Sequence, residues 1–197
     1  MDFKKFLPWI IGAVILFGIY GWVKGINNTA VTLNQDIEES WGNVQTAYQR
    51  RNDLIPNIVN TVKGYAEHEK STLTAVIEAR AKATQTTVDP TNITPEQLEA
   101  FNKAQSGVSS SLSRLLLTVE QYPNLKADQN FLKLQDELAS TENQILTART
   151  RFNEAVKPYN NHIKTFPNSL FAGMFGFKEK TYFNAVEGAD KAPEVKF

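Results

Sequence analysis

Cysteine is absent from the 197 residues, histidine occurs twice, and basic and acidic residues cancel at 21 each. Without cysteine there are no disulfides, no thiolate metal sites, no cysteine nucleophile and no lipid-bearing N-terminal cysteine. The two histidines, His68 and His162, stand in no metal-ligand spacing. The run His68-Glu69-Lys70-Ser71-Thr72 lacks the second histidine of a zinc-binding HExxH helix. Both read as exposed helix residues. Beyond residue 24 the chain loses Lys4, Lys5, Lys24 and Asp2, which leaves 18 basic against 20 acidic residues. That balance does not attract a phosphate backbone, so nucleic acid is not an expected partner. No glycine-rich phosphate loop or dinucleotide fingerprint occurs, and Ser109, Ser110 and Ser111 have no neighbouring base. The expectation is a protein that is not an enzyme, with no catalytic residues, no cofactor and no bound metal.

What is present is apolar and periodic. Hydrophobic residues make up 42% of the chain, enough for one domain with a real core. From Phe6 to Val23 there is no charge, and at about 1.5 Å per residue these positions reach about 27 Å, close to the hydrocarbon thickness of a bilayer. Trp9 lies near one end, Tyr20 and Trp22 near the other, as aromatic rings do at the two interfaces of a spanning helix. Trp22-Val23-Lys24-Gly25 is not a signal-peptidase site, so the segment is expected to remain as an anchor over residues 6–24, after a short tail of residues 1–5. Lys4 and Lys5 precede it and only Lys24 follows closely, a one-charge bias toward an inside N-terminus with the domain outside.

Residues 27–166 read as amphipathic helices. A first carries Val31, Ile37, Trp41, Val44, Tyr48 and Arg51 on one face. Arg50-Arg51-Asn52-Asp53-Leu54-Ile55-Pro56 then predicts a turn, with Asp53 as the cap of a second helix and Pro56 in its first turn; a kinked continuous helix is the other solution. The second helix runs through Ile58, Val62, Tyr65, Leu73, Val76 and Ile77 to about Lys82. Residues 84–92 read as a loop. Thr94-Pro95-Glu96-Gln97 is a capping box with proline at the first helical position, opening a third helix through Leu98, Phe101, Val108, Leu112, Leu115, Leu116 and Val119. Tyr122-Pro123-Asn124 closes it. The longest seam follows: Phe131, Leu134, Leu138, Thr141, Ile145, Ala148, Phe152, Ala155, Tyr159, Ile163 and Phe166 recur at steps of three and four, with Pro158 as an expected kink. Arg149 and Arg151 with Glu142 and Glu154 read as a salt-bridged polar face on this helix.

Three separated stretches carry a specific resemblance: RRNDLIPNIVNTVKGYAEHEK (50–70), YPNLKADQNFLKLQDELASTENQILTAR (122–149) and FNEAVKPYNNHIKTFPNSLFAGMFGFKEKTYF (152–183). In these the chain resembles the LemA family. The resemblance implies a bacterial, single-pass membrane protein whose domain is an up-and-down four-helix bundle, an all-α fold behind an N-terminal transmembrane helix. It implies no catalytic residues.

Residues 167–197 are expected to form an aromatic, glycine-containing segment and a C-terminal tail in which Val195 and Phe197 could dock as a short extended piece. Leu170, Phe171, Met174, Phe175 and Phe177 are the candidate interaction surface; they either seal the bundle end, enter lipid headgroups, or meet another protein. The expected function is a membrane-anchored helical scaffold or adaptor, with the bilayer as partner of residues 6–23 and a homo-oligomer or membrane protein as partner of the domain. The alternative is a tethered enzyme or metal protein whose site gathers Arg50, Arg51, Asp53 and carboxylates of facing helices.

Overall fold

The computed structural model describes residues 3–65 and 69–184, with side chains from Phe6 onward. His68, residues 1–2 and the C-terminal tail from 185, including Val195 and Phe197, lie outside the described residues. Among the described residues there are six helices and no strand: α1 (Phe3–Tyr65), α2 (Lys70–Gln85), α3 (Pro95–Val119), α4 (Pro123–Lys126), α5 (Gln129–Lys164) and α6 (Asn168–Ala172). The protein is all-α. Two compact units divide it, one formed by Met1–Glu39 with Glu154–Lys180, the other by Ser40–Asn153 with Thr181–Phe197.

The turn expected at Arg50–Pro56 is not there. Helix α1 continues through it for 63 residues, and the anchor segment and the first amphipathic helix are one element. The reason is a seam that never breaks: Ile37, Trp41, Val44, Tyr48, Arg51, Ile55, Ile58 and Val62 are all buried and recur at steps of four and three. Proline inside a helix leaves the carbonyl four residues back without its donor. Here that carbonyl belongs to Asn52, and Arg80 of α2 donates to it from Nε at 2.8 Å. Asp53, expected as a cap, is instead exposed and accepts from Gln49 Nε2 at 2.8 Å along the same helix face.

In the second unit the core joins Ile55, Ile58, Val59 and Val62 of α1, Leu73, Val76 and Ala83 of α2, Ala104, Val108, Leu112, Leu115 and Val119 of α3, Leu125 of α4, and Phe131 and Leu138 of α5. Five helices thus share the core, and the second helix expected to run to about Lys82 is divided between α1 and α2. The capping box forms as expected: Thr94 Oγ1 accepts from Gln97 N and Gln97 Oε1 accepts from Thr94 N, each at 3.3 Å. The preceding loop is held by buried Val88 and Ile93. Asp128 caps α5, its Oδ1 accepting from Phe131 N at 2.9 Å; that bond holds its carboxyl below the usual range.

Helix α5 runs on through Pro158 to Lys164. Its seam is buried at Phe131, Leu138, Thr141, Ile145, Ala148, Phe152, Tyr159 and Ile163, while Ala155, expected on the seam, is half-buried and its neighbour Val156 is buried. Phe166 lies past the helix end and is exposed rather than part of the seam. In the first helix the buried neighbours of Ile37 are Ala30 and Ile26, while Val31 is exposed.

Candidate functional site

The expected grouping of Arg50, Arg51 and Asp53 does not occur, because on a continuous helix consecutive residues point about 100° apart. Arg51 occupies the buried seam and is 1% exposed. Its Nη1 donates to Ser109 Oγ at 2.9 Å and to Glu142 Oε1 at 3.1 Å, and its Nη2 to Gln105 O at 3.2 Å and Gln105 Oε1 at 2.5 Å. The guanidinium also lies 5.0 Å from the centre of the Tyr48 ring, a favourable cation–π placement. Burial raises the Tyr48 phenol above its ordinary value, against the pull of Arg149 and Arg51. This is a neutralised structural node: the charge is matched by Glu142 and every contact is to the protein's own groups.

Arg50 faces elsewhere. It lines an open groove of about 820 Å³ with Asn43, Thr46, Ala47, Ser140, Asn143, Gln144, Thr147, Ala148 and Arg151. Neither Arg50 nor Arg151 forms an ion pair among the described residues. The salt-bridged face expected on α5 therefore does not form, since Glu142 serves Arg51. Arg149 turns to the chain after α6. Its Nη2 donates to Asn184 O at 2.9 Å and its guanidinium stacks 4.8 Å from the Phe183 ring. Asn153 receives the Phe183 backbone in both directions, accepting from Phe183 N at 2.8 Å and donating to Phe183 O at 2.9 Å. Phe183 stacks on Trp41 at 5.9 Å, and Trp41 meets Phe101 and Phe152 edge-on. The buried aromatic centre of this unit thus includes a residue from the C-terminal segment, which periodicity could not reveal.

The candidate interaction surface lies in the other unit. After α5 the chain passes a cis bond between Phe166 and Pro167, forms α6, and turns at Gly173–Gly176. Gly176 has φ +77°, a conformation that suits glycine. The returning segment is fastened to α5: Tyr159 Oη donates to Lys178 O at 3.0 Å, while Asn160 accepts from Lys180 N at 2.9 Å and donates to Lys180 O at 2.8 Å. Burial raises the Tyr159 phenol. The Lys180 side chain is buried, its ammonium 6.0 Å from the Tyr159 ring.

The five predicted surface residues divide. Leu170, Met174 and Phe175 are exposed, whereas Phe171 and Phe177 are half-buried and support them. Phe171 packs edge-on against Trp22 with ring centres 5.7 Å apart, and Phe177 against Tyr159 at 6.5 Å. His162, expected to be an exposed helix residue, instead connects two elements. Its Nε2 lies 2.9 Å from Ile26 O and its Nδ1 3.3 Å from Asn168 Nδ2. A carbonyl only accepts, so Nε2 carries the proton and Nδ1 receives the amide. Among the described residues no group of three or more His, Cys, Asp or Glu side chains gathers to hold a metal ion.

At the start of α1, an 18-residue window reaches a mean hydropathy of 2.0 with none of it buried. The sequence profile of the LemA family matches residues 40–197. The magnetosome protein MamQ 1 of Paramagnetospirillum magneticum is 27% identical over 180 residues, covering 83% of this chain and 66% of its own length. Magnetosome protein MamQ of Magnetospirillum gryphiswaldense is 26% identical over the same extent. Protein LemA of Metamycoplasma hominis is 26% identical over 185 residues, 93% of this chain and 80% of that one. This chain therefore spans just under two thirds of the length of its magnetosome relatives.

Proposed function

The chain belongs to the LemA family, and we propose that it is a membrane-anchored helical scaffold or adaptor with no catalytic activity of its own. Residues 6–24 serve as a single-pass anchor in a bacterial cell membrane. The helices of residues 27–166 form the domain that recruits a membrane-protein partner or a second copy, and residues 167–197 supply the aromatic segment and the tail. The observation that carries this reading is that one unbroken helix bears an apolar surface facing outward at Phe6–Val23 and core-forming residues from Ile37 to Val62. The one-charge bias favours a domain outside and an N-terminus inside. The magnetosome relatives, named for a subcellular assembly, support a role in assembly rather than turnover.

Protein contacts of the scaffold run through the bundle surface, where Leu117 and Leu146 are exposed large apolar side chains. Leu170, Phe171, Met174, Phe175 and Phe177 form a further contact surface. Photoreactive residues placed at Leu117 and Leu146 in the full-length protein, cross-linked in membranes and analysed by mass spectrometry, test the reading. Adducts of a second copy or of one membrane protein are expected. Adducts confined to the chain's own peptides at both positions would overturn it.

A further inference from the structure

We propose that the aromatic segment is a second membrane contact: α6 and the turn after it enter the headgroup region of the leaflet on the C-terminal side of the anchor, with Leu170, Met174 and Phe175 against lipid. This rests on the anchor reading and names the partner of its contact surface.

Two ties place the segment beside the end of the apolar run. The Phe171 ring packs on Trp22 at 5.7 Å, and Trp22 is the residue before the last of the uncharged stretch, where an indole marks the interface. His162 joins Ile26 O, one turn further along α1, to Asn168 at the start of α6. A segment held at both points stands at the level where hydrocarbon gives way to headgroups. Its outward side chains suit that depth. Phe166 is 76%, Leu170 60% and Met174 80% exposed, and Phe175 is also exposed. An apolar group of this size, left in water, signals a surface that is covered in use.

Lipid is the occupant favoured by continuity, because the patch begins where the exposed anchor ends. Lys24 follows the anchor and Lys178 follows Phe177; both are exposed and suited to phosphate groups. The rest of the segment is built to hold this pose: Tyr159 and Asn160 fix the returning chain at Lys178 and Lys180, and Gly176 allows the reversal.

The absence of cysteine makes the test direct. Single variants M174C, F17C and Q121C of the full-length protein, spin-labelled and reconstituted in vesicles of phosphatidylethanolamine and phosphatidylglycerol, are compared for collision with oxygen and with a water-soluble nickel chelate. The label at Met174 is expected to meet oxygen readily and nickel several-fold less than the label at exposed Gln121, with Phe17 lower still. Nickel access at Met174 equal to that at Gln121 would overturn the inference, and so would low access to both reagents, the signature of a protein cover. A watery label at Phe17 would instead remove the anchor itself. Repeating the measurement with F175C excludes an effect confined to one side chain.

Discussion

Arg51 shows how a charge can be part of a core. Four hydrogen bonds and the face of Tyr48 replace the water that its two terminal nitrogens give up, while the buried Nε has no hydrogen-bond partner among the described residues, and removing one partner of a buried pair costs more than the pair is worth. The substitution R51A is therefore expected to destabilise the bundle by about 3 kcal/mol, in urea unfolding followed by circular dichroism in mild detergent. E142A is expected to cost a comparable amount, about 3 kcal/mol, because it leaves the buried guanidinium without its counter-charge, held only by Gln105 and Ser109. Arg80 has a different task, covering the Asn52 carbonyl that Pro56 leaves bare. R80A alone is expected to cost about 1 kcal/mol. In a P56A background the helix supplies its own donor, so the same change is expected to cost measurably less. Equal costs in the two backgrounds would refute that division of labour.

Helices α1 and α5 carry most of the organisation, and their ends and attachments are testable. Asp128 at the start of α5 has a depressed carboxyl because Phe131 N donates to it. A carboxyl whose folded value is lowered contributes stability that is present above its unfolded value and lost as pH falls through the folded one. Acid unfolding below the ordinary aspartate range is thus expected to be flatter for D128N than for the unsubstituted protein. Tyr65 Oη reinforces the cap at 2.9 Å. On α5, Asn153 holds Phe183 by two bonds, so N153A is expected to lose about 2 kcal/mol of local stability. Hydrogen exchange at the Phe183 amide should accelerate strongly while core amides of α3 do not. The face from Ile37 to Arg51 and the run through Ile58 and Val62 are legible in the sequence as two helices, and their continuity across Pro56 is what the structure adds. The turn reading gave Pro56 and Asp53 too much weight, since the spacing of buried residues outlasts one missing amide when another side chain supplies the donor.

For the molecule as a whole, attachment to the bilayer is the property from which the rest of the proposal follows. Arginine near the middle of a span costs about 2.5–3.5 kcal/mol, so L16R/F17R is expected to move the protein out of the alkali-resistant membrane fraction. Unchanged retention would mean that the apolar run is not the anchor. The helical class, the uncharged run, the capping box at Thr94 and the seams of α3 and α5 could all be read from the chain alone, because each depends on neighbours within a few residues. The burial of Arg51, the cover of Asn52 by Arg80, the asparagine clamps on Lys180 and Phe183 and the link from His162 to Ile26 could not. Those join residues 20 to 136 positions apart. A polar side chain's role there is decided by which unmatched backbone or charged group the packed helices bring within about 3 Å, and no local pattern encodes that meeting.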